Sequence, residues 1–67
     1  VRWIIDYKTS SHSGGGIDEF LDRETERYQA QLNRYARVMY QLEERAIKLG
    51  LYFPLLNGWR EWDFIPD

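Results

Sequence analysis

Apolar and polar positions follow three patterns in turn along the chain. Residues 2–8 are dense in β-branched and aromatic side chains (Trp3, Ile4, Ile5, Tyr7) and predict a strand. Period-two alternation puts Asp6 and Lys8 on one face with Ile4 and turns Trp3, Ile5 and Tyr7 toward a core. Residues 9–16, with the run Ser-Ser-His-Ser-Gly-Gly-Gly, have the composition of a flexible loop. Then Tyr28, Leu32, Tyr35, Met39, Leu42, Ala46 and Leu49 recur at spacings of four and three, one stripe of an amphipathic helix. Arg27, Arg34, Arg37, Glu44 and Lys48 fall off that stripe, and Glu44 and Lys48 stand in the favourable i,i+4 order. Asp22 or Asp18 is the expected N-cap, and Gly50 the residue that ends the helix. Over 22–49 the helix is about 42 Å long, at about 1.5 Å per residue.

The third pattern is a C-terminal β-hairpin. Asn57-Gly58 suits a two-residue type I′ turn, which pairs Leu56 with Trp59, Leu55 with Arg60 and Phe53 with Trp62. Leu51, Phe53, Leu55, Trp62 and Phe64 then share the core face. Pro54 has no N–H to donate, so its strand is expected at an edge or bulged there. The order strand, glycine-rich loop, long helix, hairpin is of the α/β class.

Size changes how this outline is read. The chain has 67 residues, no cysteine and a formal net charge of −2. A disulfide and a thiolate zinc site are both excluded, and His12 is the single histidine. So short a chain rarely builds a core worth more than about 3–5 kcal/mol without such a staple. It also opens inside the strand, at Val1, without a methionine. The expectation is a piece of a larger domain, or a chain that homo-oligomerises or leans on a partner. No run is apolar enough for a bilayer span, and the opening residues do not form a signal peptide. The mild acidity argues against a general nucleic-acid binder in which this chain alone supplies the charge.

Two groups of residues could carry chemistry. Asp6 and Lys8 project side by side from the end of an apolar strand. The carboxylate can hold a hard cation such as Mg²⁺, with the Tyr7 carbonyl between them as a further oxygen ligand. The ammonium can orient an attacking water and stabilise charge on a phosphate. The triplet alone is also what a surface ion pair looks like. The second group is Tyr28-x-x-Gln31-Leu32-x-x-Tyr35, where Gln31 and Tyr35 are i,i+4 neighbours able to bind a phosphate or position a lysine. Helix periodicity alone reads Tyr28 and Tyr35 as core and Gln31 as solvated.

Trp3-Ile4-Ile5-Asp6-Tyr7-Lys8-Thr9, followed by Tyr28-x-x-Gln31-Leu32-x-x-Tyr35, resembles the RecB-type nucleases of the PD-(D/E)XK superfamily. Gly15-Gly16, Phe20-Leu21-Asp22, Leu51-Tyr52-Phe53-Pro54 and Gly58-Trp59-Arg60-Glu61-Trp62 look like the nuclease tail of bacterial UvrD/Rep-type helicase-nucleases. The resemblance implies that residues 1–67 are the C-terminal part of one restriction-endonuclease-like domain. It implies DNA phosphodiester hydrolysis with Mg²⁺ or Mn²⁺, in a bacterial cytoplasmic protein of repair or recombination. Asp6 matches the metal-binding acid and Lys8 the catalytic lysine; Gln31 and Tyr35 match the helix motif that assists the active site and contacts DNA. The family places a further metal-binding acid on an earlier strand, and nothing here takes that position.

The remaining candidates read as ordinary structure. His12 is expected to be solvated in its loop. Trp62 is expected in the core, and Trp59 on the other sheet face or against other parts of the domain. Arg27, Arg34 and Arg37 read as a solvated helix face diluted by Glu24, Glu26, Glu43 and Glu44. Two other functional readings stay open: a DNA-binding or structural module with a decayed nuclease site, and an interaction fragment that dimerises through the helix stripe.

Overall fold

The computed structural model describes residues 1–12 and 14–66. Its order is β1 (Arg2–Tyr7), α1 (Ile17–Leu42), β2 (Ile47–Phe53), a short 3₁₀ turn (Pro54–Leu56) and β3 (Gly58–Asp63). The three strands form one sheet in the order β1-β2-β3, with β1 parallel and β3 antiparallel to β2. The chain is thus α/β: a strand–helix–strand unit closed by a returning third strand. Among the described residues no helix is long and apolar enough to cross a membrane.

Parity decides which face of the sheet is covered. Ile47, Leu49, Leu51 and Phe53 alternate along β2 and are all buried. They meet Leu21, Leu32 and Ala36 from α1, with Phe64 just past β3. Ile4, Phe20, Tyr28, Met39, Tyr40, Leu56 and Trp62 pack around this cluster. The helix lies over β2 and β3. Among the described residues no helix covers the other sheet face, which is aromatic: Trp3, Tyr7, Tyr52 and Trp59 form a row of ring contacts at 5.6–6.4 Å.

Several expectations are corrected by this arrangement. The helix covers 17–42, not 22–49, so Asp18 and Asp22 both lie inside it. Gly16, at a left-handed φ of 76°, occupies the N-cap position, and Asp18 and Glu19 face the helix's positive end. The polar run Glu43-Glu44-Arg45 ends the helical pattern. Beyond it Leu49 and Gly50 belong to a strand, because Ile47-x-Leu49-x-Leu51-x-Phe53 buries four side chains in a central strand. The buried stripe therefore passes through Ala36, leaving Tyr35 and Leu42 exposed.

The face of β1 is also reversed. Ile4 packs on the core, with Asp6 and Lys8 on that same helix-facing side, while Trp3, Ile5 and Tyr7 stand exposed on the open face. In-register pairing fixes this, since Ile4 lies beside Leu49 and Asp6 beside Leu51. The hairpin is not a two-residue turn. Pro54 starts the 3₁₀ turn, Asn57 closes it at φ 50°, and Phe53 pairs with Gly58. Trp62 consequently faces Leu49 rather than Phe53. The displacement is even, so Leu51, Phe53, Trp62 and Phe64 keep the inward side. Leu55 loses it to Leu56.

Candidate functional site

The Asp6 and Lys8 side chains emerge at the C-terminal end of β1, beside the middle of α1. The Lys8 backbone N–H donates to the Tyr52 carbonyl at 2.9 Å, which continues the β1–β2 ladder one residue beyond the strand. That anchor fixes the direction of both side chains. Lys8 Nζ lies 2.8 Å from Asp6 Oδ2 and 3.6 Å from the centre of the Tyr28 ring. The lysine is thus held by a carboxylate on one side and an aromatic face on the other, with a fifth of its side chain exposed. Asp6 is more open, at 37%. The ammonium is positioned by its own strand and by the helix, a degree of fixation that a lone surface ion pair does not have.

The ladder also determines where Tyr7 points. Arg2 N–H bonds to Ala46 and Lys8 N–H to Tyr52, so the even-numbered residues of β1 direct their backbone groups to β2. Tyr7, being odd, turns its carbonyl to the free edge of β1, beside Asp6. Among the described residues no group of three His, Cys, Asp or Glu side chains has the geometry to hold a metal ion.

Gln31 and Tyr35 stand on the flank of α1 next to Tyr28, one and two turns further on. Both are exposed, and no hydrogen bond or ion pair joins them to Asp6 or Lys8 among the described residues. They border the site and do not enter it. Of the helix group Tyr28, Gln31 and Tyr35 named along the sequence, Tyr28 is the member that meets the lysine, through its ring. Glu24, one turn before Tyr28, has only 12% of its side chain exposed and lies 3.9 Å from Arg27.

His12 is not simply solvated: its ring stacks on Phe20 at 4.8 Å and Nε2 is 2.9 Å from the Gly15 carbonyl. It ties the loop to the first turn of the helix. Trp62 donates from Nε1 to Asn33 at 3.0 Å and is half-buried, as the core reading expected, and Trp59 lies on the opposite face. A shallow groove lined by Arg37, Tyr40, Gln41, Glu44, Phe64 and Pro66 includes neither Asp6 nor Lys8. Comparison with protein-family models, with curated proteins and with solved structures finds no match to this chain.

Proposed function

We propose that this chain is part of a metal-dependent DNA nuclease domain of the RecB type, a portion of a PD-(D/E)XK fold. The observation that carries the reading is the fixed Asp6–Lys8 pair at the end of β1, with the Tyr7 carbonyl turned outward beside it. The Tyr28-x-x-Gln31-Leu32-x-x-Tyr35 motif on the adjoining helix flank supports it. In this reading Asp6 and the Tyr7 carbonyl hold the cation, Mg²⁺ or Mn²⁺. When bound, the cation polarises the scissile phosphate and the attacking water. Lys8 leaves Asp6 to orient that water and to stabilise charge on the phosphate oxygens, with the Tyr28 ring holding its stem in place. Gln31 and Tyr35 contact the DNA backbone from the helix flank.

Two oxygen ligands are too few for tight Mg²⁺ binding, because the ion keeps most of its waters. The proposal is therefore that the 67 residues alone do not cut DNA. The full helicase-nuclease, a bacterial cytoplasmic repair or recombination protein, cuts with another acid completing the site. The direct 2.8 Å ion pair favours a second reading, in which Asp6 and Lys8 satisfy each other and the fold is a non-catalytic module. A cleavage assay separates the two. The nuclease reading expects the intact protein to cut DNA in Mg²⁺ or Mn²⁺, Asp6→Ala to abolish cutting, and the isolated chain to be inert. An intact protein that binds DNA without cutting it selects the module.

A further inference from the structure

Three guanidinium groups are tied closely to carboxylates of the chain itself. Arg60 is held by Asp22 at 3.1 Å and Asp18 at 3.4 Å, and Glu43 holds Arg2 at 2.7 Å and Arg45 at 2.8 Å. Arg27 is placed differently. Its Nη1 lies 3.9 Å from Glu24, at the outer limit of an ion pair, and 70% of its side chain is exposed. Its Cζ is 5.4 Å from the centre of the Tyr28 ring, the same ring that carries Lys8 Nζ at 3.6 Å. Two positive groups thus share one ring, no more than about 9 Å apart. We propose that Arg27 is a phosphate-binding residue of the candidate site, gripping a DNA backbone phosphate next to the one that Lys8 serves. The identity of this ligand rests on the nuclease reading given above.

The existing contacts leave Arg27 able to do this. Arg27, Gln31 and Tyr35 follow one another at i, i+4 and i+8 on α1, and all three are exposed. They form one stripe along the helix flank that borders Asp6 and Lys8. Glu24 sits one turn back with 12% of its side chain exposed, so it steadies the guanidinium from the protein side. A guanidinium has five N–H donors in a planar fork, and one loose contact through Nη1 leaves the rest of the fork for a phosphate. The Tyr28 ring restrains the arm before any ligand arrives, which lowers the entropy lost on binding. Its head already lies in water, so little else is rearranged. The Asp6–Lys8 bridge in particular need not open for Arg27 to act. The neighbouring acids do not cancel the charge: Glu43 is engaged by Arg2 and Arg45, and Glu26 is turned about 100° round the helix from Arg27.

The test is DNA binding by the intact protein as a function of salt, read by fluorescence anisotropy with divalent cations chelated so that nothing is cut. Each phosphate contact contributes about 0.7–0.9 to the slope of log affinity against log salt. Arg27→Gln should make that slope shallower by this amount and weaken binding by about tenfold at low salt, a loss that fades as salt rises. Arg27→Lys keeps the charge and should restore the slope. Arg45→Gln removes an equal charge from a guanidinium already held by Glu43, and should leave the slope in place. Contacts made elsewhere in the intact protein are common to every variant and drop out of the differences. A shallower slope for Arg27→Gln in a protein that binds DNA without cutting it in Mg²⁺ or Mn²⁺ upholds the phosphate contact while the nuclease reading fails. A protein that cuts DNA but shows an unchanged slope with Arg27→Gln, or an equal change with Arg45→Gln, overturns the contact and leaves the nuclease reading standing.

Discussion

Gly50→Ala probes the sheet at its centre. Gly50 sits in the middle strand without a left-handed φ, so alanine takes its backbone without strain. The obstacle is the Trp59 indole, which lies across it: a Cβ there would be 2.4 Å from Cη2, 2.9 Å from Cζ2 and 3.1 Å from Cζ3 of the ring. The ring must retreat by roughly 1 Å to reach the 3.5–4.0 Å of ordinary carbon contact. In doing so it loosens its contacts with Trp3 and Tyr52. Overpacking of this kind costs about 1–3 kcal/mol. Trp59 faces solvent and can turn outward, which places the cost near the lower end. Replacing glycine in a strand recovers about 0.5–1 kcal/mol of chain entropy. With a cost of about 1–1.5 kcal/mol, the net expectation is a loss of about 0–1 kcal/mol. For a chain of this size that lowers the melting temperature by roughly 4–8 °C per kcal/mol. In a Trp59→Ala background the obstacle is gone, so the same Gly50→Ala change should stabilise by about 0.5–1 kcal/mol. Urea denaturation of the four proteins of this cycle measures both values. Equal destabilisation in both backgrounds would refute the reasoning, because the cost would then lie in the backbone and not under the indole.

Phe53→Ala removes a fully buried ring and should cost about 3–5 kcal/mol, comparable to the whole stability of a chain this small; a cooperative thermal transition near that of the unmodified protein would contradict the core described above. Tyr28→Leu keeps the apolar packing but removes the face that carries Lys8, at an expected loss of about 0.5–2 kcal/mol; an unchanged denaturation midpoint would mean that the ring does not hold the lysine. Arg60→Ala breaks bridges to the exposed carboxylates of Asp18 and Asp22, so its effect should stay under about 1 kcal/mol and shrink at high salt; a larger, salt-independent loss would show a structural role that exposed ion pairs do not have.

How much of this was legible depended on whether one period dominated a segment. β1 and the start of the helical stripe at Tyr28 and Leu32 were readable because β-branched residues and the four/three spacing left no rival. The segment after Leu42 had two. Ala46 and Leu49 extend the helical stripe by spacing, while Ile47, Leu49, Leu51 and Phe53 fit a strand. The choice is made by the sheet, which needs a central strand to join β1 and β3, and no local pattern carries that demand. The reversed face of β1 has the same origin. Trp3, Ile5 and Tyr7 are the more apolar set, yet Ile4 alone meets the core, because α1 lies on its side. For the candidate site, the Asp6–Lys8 spacing was visible along the chain. The Tyr28 contact was not, since it depends on where the helix crosses the strand's end. Gln31 and Tyr35 were legible as a helix pair, but their exposure follows from the stripe turning through Ala36.

The central claim is that Asp6 holds the cation while Lys8 acts on the water and phosphate. The measurement that tests it most directly is DNA cleavage by the intact protein carrying Asp6→Ala or Lys8→Ala, run alongside Mn²⁺ calorimetry on the same preparations. The account predicts that both variants lose cleavage and keep helicase activity, that Asp6→Ala also loses the cation, and that Lys8→Ala still binds it. Full cleavage by the Asp6→Ala protein would contradict the account.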